Sequence, residues 1–270
     1  MKLYLNGAIV AAEQAALSPA DRGFTLGDGL FETIKARQGR PLRLDAHLAR
    51  LAGGAAILRL PLPDGRAWLD HAIAAVLDAN GLADSAMRLT ISRGPGPRGL
   101  LPPDPCTPTI VVTAGPLPAQ PGPARAVVAR NVRRNASSPL SRCKALSYLD
   151  NVLARFEAEE RGADDALLLN TDGRLAESTI ANLFVVGDDG ILSTPPLSDG
   201  ALPGVRRAEV LRGMVALERG IAVAELMSAR EAFLTNALSV RPLVAVDGQP
   251  IGDGQPGPLS TRLRKEASDE

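Results

Sequence analysis

The order of apolar and polar positions predicts short strands, tight turns and helices from the first residues onward. Apolar runs flank Asn6-Gly7 and Gln38-Gly39, and each pair of runs is expected to form a β-hairpin, because these residues tolerate the positive φ angles of a tight turn. Asp45 is the expected N-cap of the helix that follows. Further elements predicted in the first half are helices over 44–60 and 65–80 and strands over 86–94 and 108–116.

The second half alternates between helix and hairpin patterns. Leu149, Val152, Leu153 and Phe156 have the i, i+3, i+4, i+7 spacing of an amphipathic helix, which is expected to end at Gly162. The remaining pattern predicts hairpins over 165–178 and 181–195, a helix over 203–220, and strands with a hairpin over 232–251. Mixed strands and helices with many hairpins predict an α+β fold, a two-domain α/β arrangement, rather than a doubly wound parallel sheet.

One segment has the composition of a linker. Residues 115–125 hold four prolines and two glycines in eleven positions, a composition that favours an extended connection without a core of its own. The sequence therefore predicts an N-terminal domain over 1–117, a linker over 118–124 and a larger C-terminal domain over 125–270.

Charge and composition exclude several classes of partner. The 30 basic residues balance 30 acidic ones, and aromatic residues make up 3%, which gives no electrostatic or stacking basis for binding nucleic acid or an anionic membrane. The first residues lack a signal-peptide layout, and their apolar run is too short to span a bilayer. Cys106 and Cys143 form no metal-binding pattern. We expect a cytoplasmic protein with neither of these partners.

Lys144 stands out because only four of the 30 basic residues are lysines. An amine can lose its proton and form an imine, which a guanidinium cannot do, although a surface lysine is the simpler alternative. Glu177 follows in a hairpin, the helix after Pro203-Gly204 begins with backbone amides that suit an anion, and Arg50 offers a counter-charge. An imine-forming lysine, a carboxylate and a phosphate cradle together indicate a site for pyridoxal phosphate.

Several segments extend this pattern over nearly the whole chain. In order they are DRGFTLGDGLFETIK, HLARL, KALSYLDNVLARFEAEERGADDALLLNTDGRLAESTIANLF, LPGVRR and AFLTNALSVRPLV. They resemble the class IV aminotransferase family, the fold-type IV pyridoxal phosphate enzymes. The resemblance implies two α/β domains of the D-amino acid aminotransferase type with the cofactor between them. It also implies a lysine carried by the C-terminal domain, and a homodimer whose interface completes the site.

The resemblance also implies roles for individual residues. It makes Lys144 the Schiff-base lysine and places Glu177 against the protonated pyridine nitrogen. It assigns the phosphate to Arg50 and the phenolic oxygen of the cofactor to Tyr148. The backbone amides expected at the phosphate are those of Val205, Arg206, Asn236 and Ala237. Arg206 and the TNAL segment stand where relatives often carry threonine, so the phosphate is expected to depend more on backbone amides.

Two features are similar to 4-amino-4-deoxychorismate lyases: the run LTISRGPGPRGL at 89–100, and the NAL segment at 236–238. This lyase converts a small amine substrate into p-aminobenzoate and pyruvate, a step toward folate. By the resemblance, Arg98 is expected to bind a substrate carboxylate, Phe31 to contact the substrate, and Thr33 to assist Lys144 in proton transfer.

Other activities stay open at this point. An aminotransferase acting on D-amino acids, of the D-alanine type, or on branched-chain amino acids would use the same residues, and spacing and composition do not decide between elimination and transfer. A cofactor-binding homologue without activity and a plain binding module are further alternatives.

Overall fold

The computed structural model describes residues 1–270, which divide into two compact units. The first unit comprises residues 1–118 and 143–147, and the second comprises residues 119–142 and 148–270. Residues 117–123, which join the units, form neither helix nor strand. This division differs from the sequence-based one, which assigned all of 125–270, including Lys144, to the C-terminal domain.

The first unit is an antiparallel sheet covered by helices. Its strands are β1 (Lys2–Leu5), β2 (Ala8–Ala11), β3 (Gly29–Arg37), β4 (Arg40–Pro41), β5 (Ser85–Ser92) and β6 (Thr109–Pro116). Its helices are α1 (Arg22–Leu26), α2 (Leu44–Leu58) and α3 (Ala67–Asn80). The strand order is β2-β1-β6-β5-β3-β4, and every pairing is antiparallel.

Alternation along β3 gives this sheet a covered face. Leu30 and Ile34 point into the apolar core beside Leu51 of α2 and Leu69 of α3, because side chains alternate between the two faces of a strand. Phe31 and the residues two and four positions after it on β3 therefore lie on the other face. The hairpins at Asn6-Gly7 and Gln38-Gly39 form as predicted, with positive φ at all four turn residues.

The second unit is built on a larger, mixed sheet. Its strands are β7 (Ala124–Arg134), β8 (Asp165–Asn170), β9 (Leu175–Ser178), β10 (Asn182–Val186), β11 (Leu192–Thr194), β12 (Leu217–Glu218), β13 (Glu231–Thr235), β14 (Val240–Val246) and β15 (Gln249–Pro250). Its helices are α4 (Leu149–Glu160), α5 (Val205–Gly213), α6 (Val223–Met227) and α7 (Pro258–Asp269). None of the helices combines the length and the apolar character that a membrane-spanning segment requires.

Six strands of this sheet close into a ring. The order β10-β13-β14-β7-β8-β9 returns to β10 through a pairing of Glu177 with Asn182, so the ring closes beside a predicted site residue. The β7–β8 and β7–β14 pairs are parallel and the other pairs around the ring are antiparallel. The fold therefore combines helices and strands as predicted and is not a doubly wound parallel sheet. Phe184 and Phe233 stack with ring centroids 5.1 Å apart on a face that α7 covers.

Helix α4 packs through a different face from the one its apolar spacing suggests. Its buried residues are Asn151, Ala154, Glu157 and Ala158, and the two alanines contact the apolar residues of β7 and β8. The predicted apolar stripe faces outward. Leu149 is 75% exposed, and Leu153 and Phe156 are each more than half exposed.

Two local predictions are wrong. Arg43, with positive φ and no side-chain cap, precedes α2, and Asp45 lies within the first turn, where it pairs with Arg66 instead of capping. The helix predicted over 203–220 ends at Gly213, after which Met214 is extended and Leu217–Glu218 forms β12 beside β11. Glycine is a weak helix former, and the gain from a new strand pairing outweighs the local pattern.

Candidate active site

Lys144 is held by strand-like bonding to β3. The amide of Phe31 donates to the carbonyl of Lys144 at 2.9 Å, and the amide of Leu146 donates to the carbonyl of Gly29 at 3.0 Å. These bonds, with a bridge between Leu30 and Ala145, attach the lysine segment to the first unit. Cys143 is buried in the core of that unit. A backbone fixed on both sides of Lys144 fixes where its amine can reach.

The ring of Phe31 orients two cations. Lys144 Nζ lies 4.2 Å from the ring centroid, and the guanidinium carbon of Arg88 lies 3.8 Å from the same centroid. Such contacts are attractive because the face of an aromatic ring carries partial negative charge. Thr33 is half-buried and pairs across the strands with Arg88. The structure thus brings Lys144, Phe31 and Thr33 to one region of the first unit, and adds Arg88 to it.

Arg50 is bound to a buried carboxylate on the covered face of the sheet. Its Nε lies 2.8 Å from Oε1 of Glu32, and its Nη2 lies 2.5 Å from Oε2. His47 Nδ1 lies 2.6 Å from the same Oε2. Burial raises the pKa of Glu32, but the hydrogen bonds and charges of Arg50 and His47 outweigh it and lower the pKa overall. The guanidinium is therefore fixed by an ionised partner.

Arg98 lies on the exposed loop that follows β5. With Leu26, Leu100 and neighbouring loop residues it lines a cavity of about 590 Å³ within the first unit. Arg22 supports this loop by donating to the carbonyls of Gly99 and Leu100 at 3.0 and 2.7 Å. Arg98 therefore lines a loop cavity whose lining residues include none of the group around Phe31.

Glu177 is buried in the second unit, where two hydrogen-bond donors and an ion pair hold its carboxylate. Its Oε2 accepts the amide of Leu202 at 2.9 Å and the side-chain amide of Asn182 at 3.4 Å. Arg134 Nε lies 3.2 Å from Oε1. Arg134 is itself fixed by the carbonyls of Gly200 and Ser141. A carboxylate held in this way keeps one orientation and is stabilised in its charged form, which suits a partner for a protonated ring nitrogen.

The start of α5 has the geometry of an anion site. Gly204 precedes the helix without a side-chain cap, so the first-turn amides of Val205 and Arg206 have no partner within the helix. A Cβ at Gly204 would lie 1.9 Å from Oδ1 of Asn182, so only glycine allows this approach. On the strand beside Asn182, the buried hydroxyl of Thr235 has no hydrogen-bond partner. This donor set fits a phosphate.

One of the two other backbone amides expected to bind the phosphate already donates a hydrogen bond within the protein. The amide of Asn236 donates to the carbonyl of Ser239, and its side-chain oxygen accepts the amides of Leu238 and Ser239 at 3.0 Å each. The backbone amide of Asn236 is therefore used within its own turn, although it was expected at the phosphate. Of these two amides, only that of Ala237 stays a candidate for the phosphate. The terminal guanidinium nitrogens of Arg206 bind Glu209 and Glu270, while its buried Nε has no hydrogen-bond partner.

Tyr148 is half-buried directly before α4, where its carbonyl accepts the amide of Val152. Sequence reasoning missed Arg88, Arg134, Asn182 and Glu32. Asn182 lies inside the quoted motif, and its side-chain amide type was an available signal. The pairing of Arg134 with Glu177 joins residues far apart in the chain, and no local pattern predicts it.

Comparison with known proteins identifies the family of this chain. The model of the family described as amino-transferase class IV matches residues 29–246. A putative branched-chain-amino-acid aminotransferase of Methanocaldococcus jannaschii is 34% identical, covering 100% of this chain and 96% of that protein. D-alanine aminotransferase of Bacillus licheniformis is 31% identical, covering 98% and 95%. The crystal structure of 4-amino-4-deoxychorismate lyase from Pseudomonas aeruginosa matches with a TM-score of 0.84 and 34% identity, covering 99% and 98%.

These matches extend over nearly the full length of each protein, and enzymes of this family depend on pyridoxal phosphate. The family model includes the lysine segment, the strand of Glu177 and the start of α5. The chain therefore belongs to the class IV aminotransferase family, with the fold of the fold-type IV enzymes.

Proposed function

We propose that this chain binds pyridoxal phosphate and acts as a 4-amino-4-deoxychorismate lyase. The observation that carries the proposal is the position of the Lys144 amine, which backbone bonding to β3 fixes beside the Phe31 ring. The choice of the lyase is supported by the segments at 89–100 and 236–238 and by the full-length similarity to the Pseudomonas aeruginosa lyase.

The residues present fit the cofactor. The uncapped start of α5, the close approach at Gly204 and the unpaired hydroxyl of Thr235 supply donors for a phosphate. Glu177 supplies a fixed carboxylate for a protonated ring nitrogen, and Arg50 supplies a positive charge held by Glu32. When bound, pyridoxal phosphate supplies an aldehyde that joins amines and a ring that accepts an electron pair.

In the lyase reaction Lys144 moves one proton. Its neutral amine takes the proton from the amine-bearing carbon of the substrate ring. The electron pair released there allows the bond between the ring and the enolpyruvyl oxygen to break. The Lys144 ammonium then returns its proton to the departing enolpyruvate, which becomes pyruvate, while the ring becomes p-aminobenzoate. Thr33, on the same strand as Phe31, is the residue that we propose to assist Lys144 in moving this proton.

Release of p-aminobenzoate from enzymatically generated aminodeoxychorismate tests the lyase. We expect rapid release by the wild-type protein, none by Lys144→Ala, and wild-type rates from Lys265→Ala, a matched change at an exposed lysine on α7. Absence of release from protein that has bound the cofactor would contradict the lyase assignment.

Aminotransferase activity is the second candidate, because the Methanocaldococcus jannaschii and Bacillus licheniformis relatives carry aminotransferase names. Lys144 would then take the proton from the substrate carbon, and bound pyridoxal phosphate would supply the acceptor for the amino group. D-Alanine and L-leucine distinguish the two kinds of aminotransferase, since the accepted amino acid bleaches the visible absorbance of the bound cofactor in a single turnover.

We also propose that the protein is a homodimer in which a second copy covers the exposed stripe of α4. Leu149, Leu153 and Phe156 form a continuous apolar strip at helical spacing, and such strips on a protein surface are typical of interfaces. Light scattering after size exclusion should give twice the chain mass for wild type and for Glu160→Lys. It should give the monomer mass for a Leu153→Glu, Phe156→Glu double variant. A monomeric wild type would contradict this.

A further inference from the structure

Arg206, the second residue of α5, has a buried guanidinium whose donors are only partly used. Its side chain is 6% exposed. Nη1 donates to Oε2 of Glu209 at 2.8 Å and to Oε1 of Glu270 at 3.1 Å, and Nη2 donates to Oε2 of Glu270 at 2.6 Å. The Nε–H has no partner, although it is removed from water. Buried donors in folded proteins are rarely left in this state, so the space in front of Nε suits a ligand.

The hydrogen bonds of Arg206 identify the edge of the guanidinium that is left. Glu270 accepts from both terminal nitrogens and therefore occupies the edge between them, while Glu209 takes the other hydrogen of Nη1. The hydrogen of Nε and the second hydrogen of Nη2 remain, and the planar group places them side by side. Two parallel N–H donors on one edge form the fork with which arginine binds an oxyanion such as phosphate.

This side chain begins at the proposed phosphate site. On a helix each Cα–Cβ bond tilts toward the N-terminus, so the Arg206 side chain leaves the backbone on the side of the first-turn amides. Gly204, which precedes α5, lies against Asn182, and Asn182 pairs with Thr235 across β10 and β13. The Thr235 hydroxyl is a second buried donor without a partner. Two orphaned donors thus come from the elements that meet at the start of α5.

Arg207 also has a buried Nε without a partner, but its guanidinium has a different direction. Its Nη2 donates to the carbonyl of Pro195 at 2.9 Å and to Oε2 of Glu218 on β12 at 2.6 Å. Neighbouring residues of a helix project about 100° apart, so the two arginines face different surroundings. Arg207 is fixed at the β12 edge of the sheet, and Arg206 is the cation that contacts the end of α7.

We propose that Arg206 binds the phosphate of the cofactor through its Nε edge, while Glu270 holds the edge between its terminal nitrogens. This role rests on the proposed binding of pyridoxal phosphate. Glu209 and Glu270 are 36% and 33% exposed, so water screens their repulsion of a phosphate, whereas the Nε edge is buried. Because Glu270 directly follows α7, one guanidinium links this helix to the cofactor, and each should stabilise the binding of the other.

A comparison of pyridoxal phosphate with pyridoxal, which lacks the phosphate, tests the contact without turnover. In fluorescence titrations of the apoprotein, Arg206→Met should raise the Kd of pyridoxal phosphate about 30-fold and leave that of pyridoxal unchanged, which also shows that the variant is folded. Arg206→Lys should recover part of the affinity, because it restores the charge without the Nε edge. Arg212→Met, at an exposed arginine of the same helix, should match wild type. An equal rise for both ligands would indicate a structural role and overturn the proposal, as would an unchanged Kd for pyridoxal phosphate.

Hydrogen exchange tests the link to α7. Binding of pyridoxal phosphate should slow amide exchange over residues 258–269 in wild type, and much less in Glu270→Gln, which lacks the charge that holds Arg206. Equal protection of this helix in both proteins, or no protection in wild type, would contradict the link.

Inorganic phosphate separates this role of Arg206 from the proposed lyase activity. Lys144→Ala apoprotein cannot form the imine, but it should bind inorganic phosphate in a calorimetric titration. Adding Arg206→Met should raise that Kd at least about 10-fold. Phosphate binding that does not depend on Arg206 would overturn the proposal even in an active lyase. Binding that depends on Arg206 in a protein that releases no p-aminobenzoate would support it and contradict the lyase assignment alone.

Discussion

Arg134 Nε lies 3.2 Å from Oε1 of Glu177, while the other oxygen of this carboxylate accepts the amide of Leu202. The carboxylate that we assign to the ring nitrogen of the cofactor is therefore held between a cation and a backbone donor. Both contacts favour the charged form and restrict its rotation. Arg134 thus positions Glu177, and its proposed role is limited to this contact.

Replacing Arg134 should weaken cofactor binding. In Arg134→Met, Glu177 loses a charge-assisted partner, and we expect the Kd for pyridoxal phosphate to rise about 10-fold. Fluorescence titration of the apoprotein measures this directly. Arg130→Met, an exposed arginine on the same strand, is the matched control and should bind like wild type. An unchanged Kd in Arg134→Met would show that Arg134 does not support Glu177.

Glu32 should make the stability of the protein depend on pH in acid. Its pKa is lowered in the folded state, mainly by Arg50 and His47 acting against burial, so its contribution to stability is present above the unfolded pKa of about 4.3 and is lost as pH falls through the folded pKa. Glu32→Gln should lower the free energy of unfolding at neutral pH by about 3 kcal/mol, because it leaves Arg50 without its buried partner.

Urea unfolding at a series of pH values measures both effects. The difference between wild type and Glu32→Gln should shrink as the pH falls below about 4. A constant difference across this range would contradict the assignment of the ionised carboxylate.

Gly204→Ala should impair the phosphate site and the fold together. The added Cβ would approach Oδ1 of Asn182 to 1.9 Å, and the forced shift should cost about 1–3 kcal/mol of unfolding free energy. The Kd for pyridoxal phosphate should rise in the same variant. Gly213→Ala at the other end of α5 meets no atom within 4 Å and should be neutral or slightly stabilising. Equal behaviour of the two variants would contradict the close approach.

Much of the fold could be predicted from local pattern. The turns at Asn6-Gly7 and Gln38-Gly39 and the strands around them form where the residues predict, because a hairpin is determined by neighbours in sequence. The end of α5 and the exposed stripe of α4 could not be predicted, since each depends on what the element packs against. The homodimer and the cytoplasmic location stay predictions.

The candidate site, like the fold, has residues that the sequence could predict and residues that it could not. Lys144 and Glu177 could be selected because their chemistry is unusual in their context. Arg88 and Arg134 could not be selected from the sequence, because this chain has 26 arginines and no local pattern separates these two from the others. Only the folded structure brings Arg88 beside Phe31 and Arg134 beside Glu177. The Asn236 amide was assigned to a phosphate, but the local turn uses it, which an Asx-type side-chain bond explains.

The most direct test of the account is where the cofactor attaches. Protein loaded with pyridoxal phosphate is reduced with borohydride, digested and mapped by mass spectrometry, which is decisive because the chain has only four lysines, Lys2, Lys35, Lys144 and Lys265. We predict a phosphopyridoxyl group on the Lys144 peptide alone, and none on this peptide in Lys144→Ala. Stable modification of another lysine instead, or no modification of wild-type protein at saturating cofactor, would contradict the central claim.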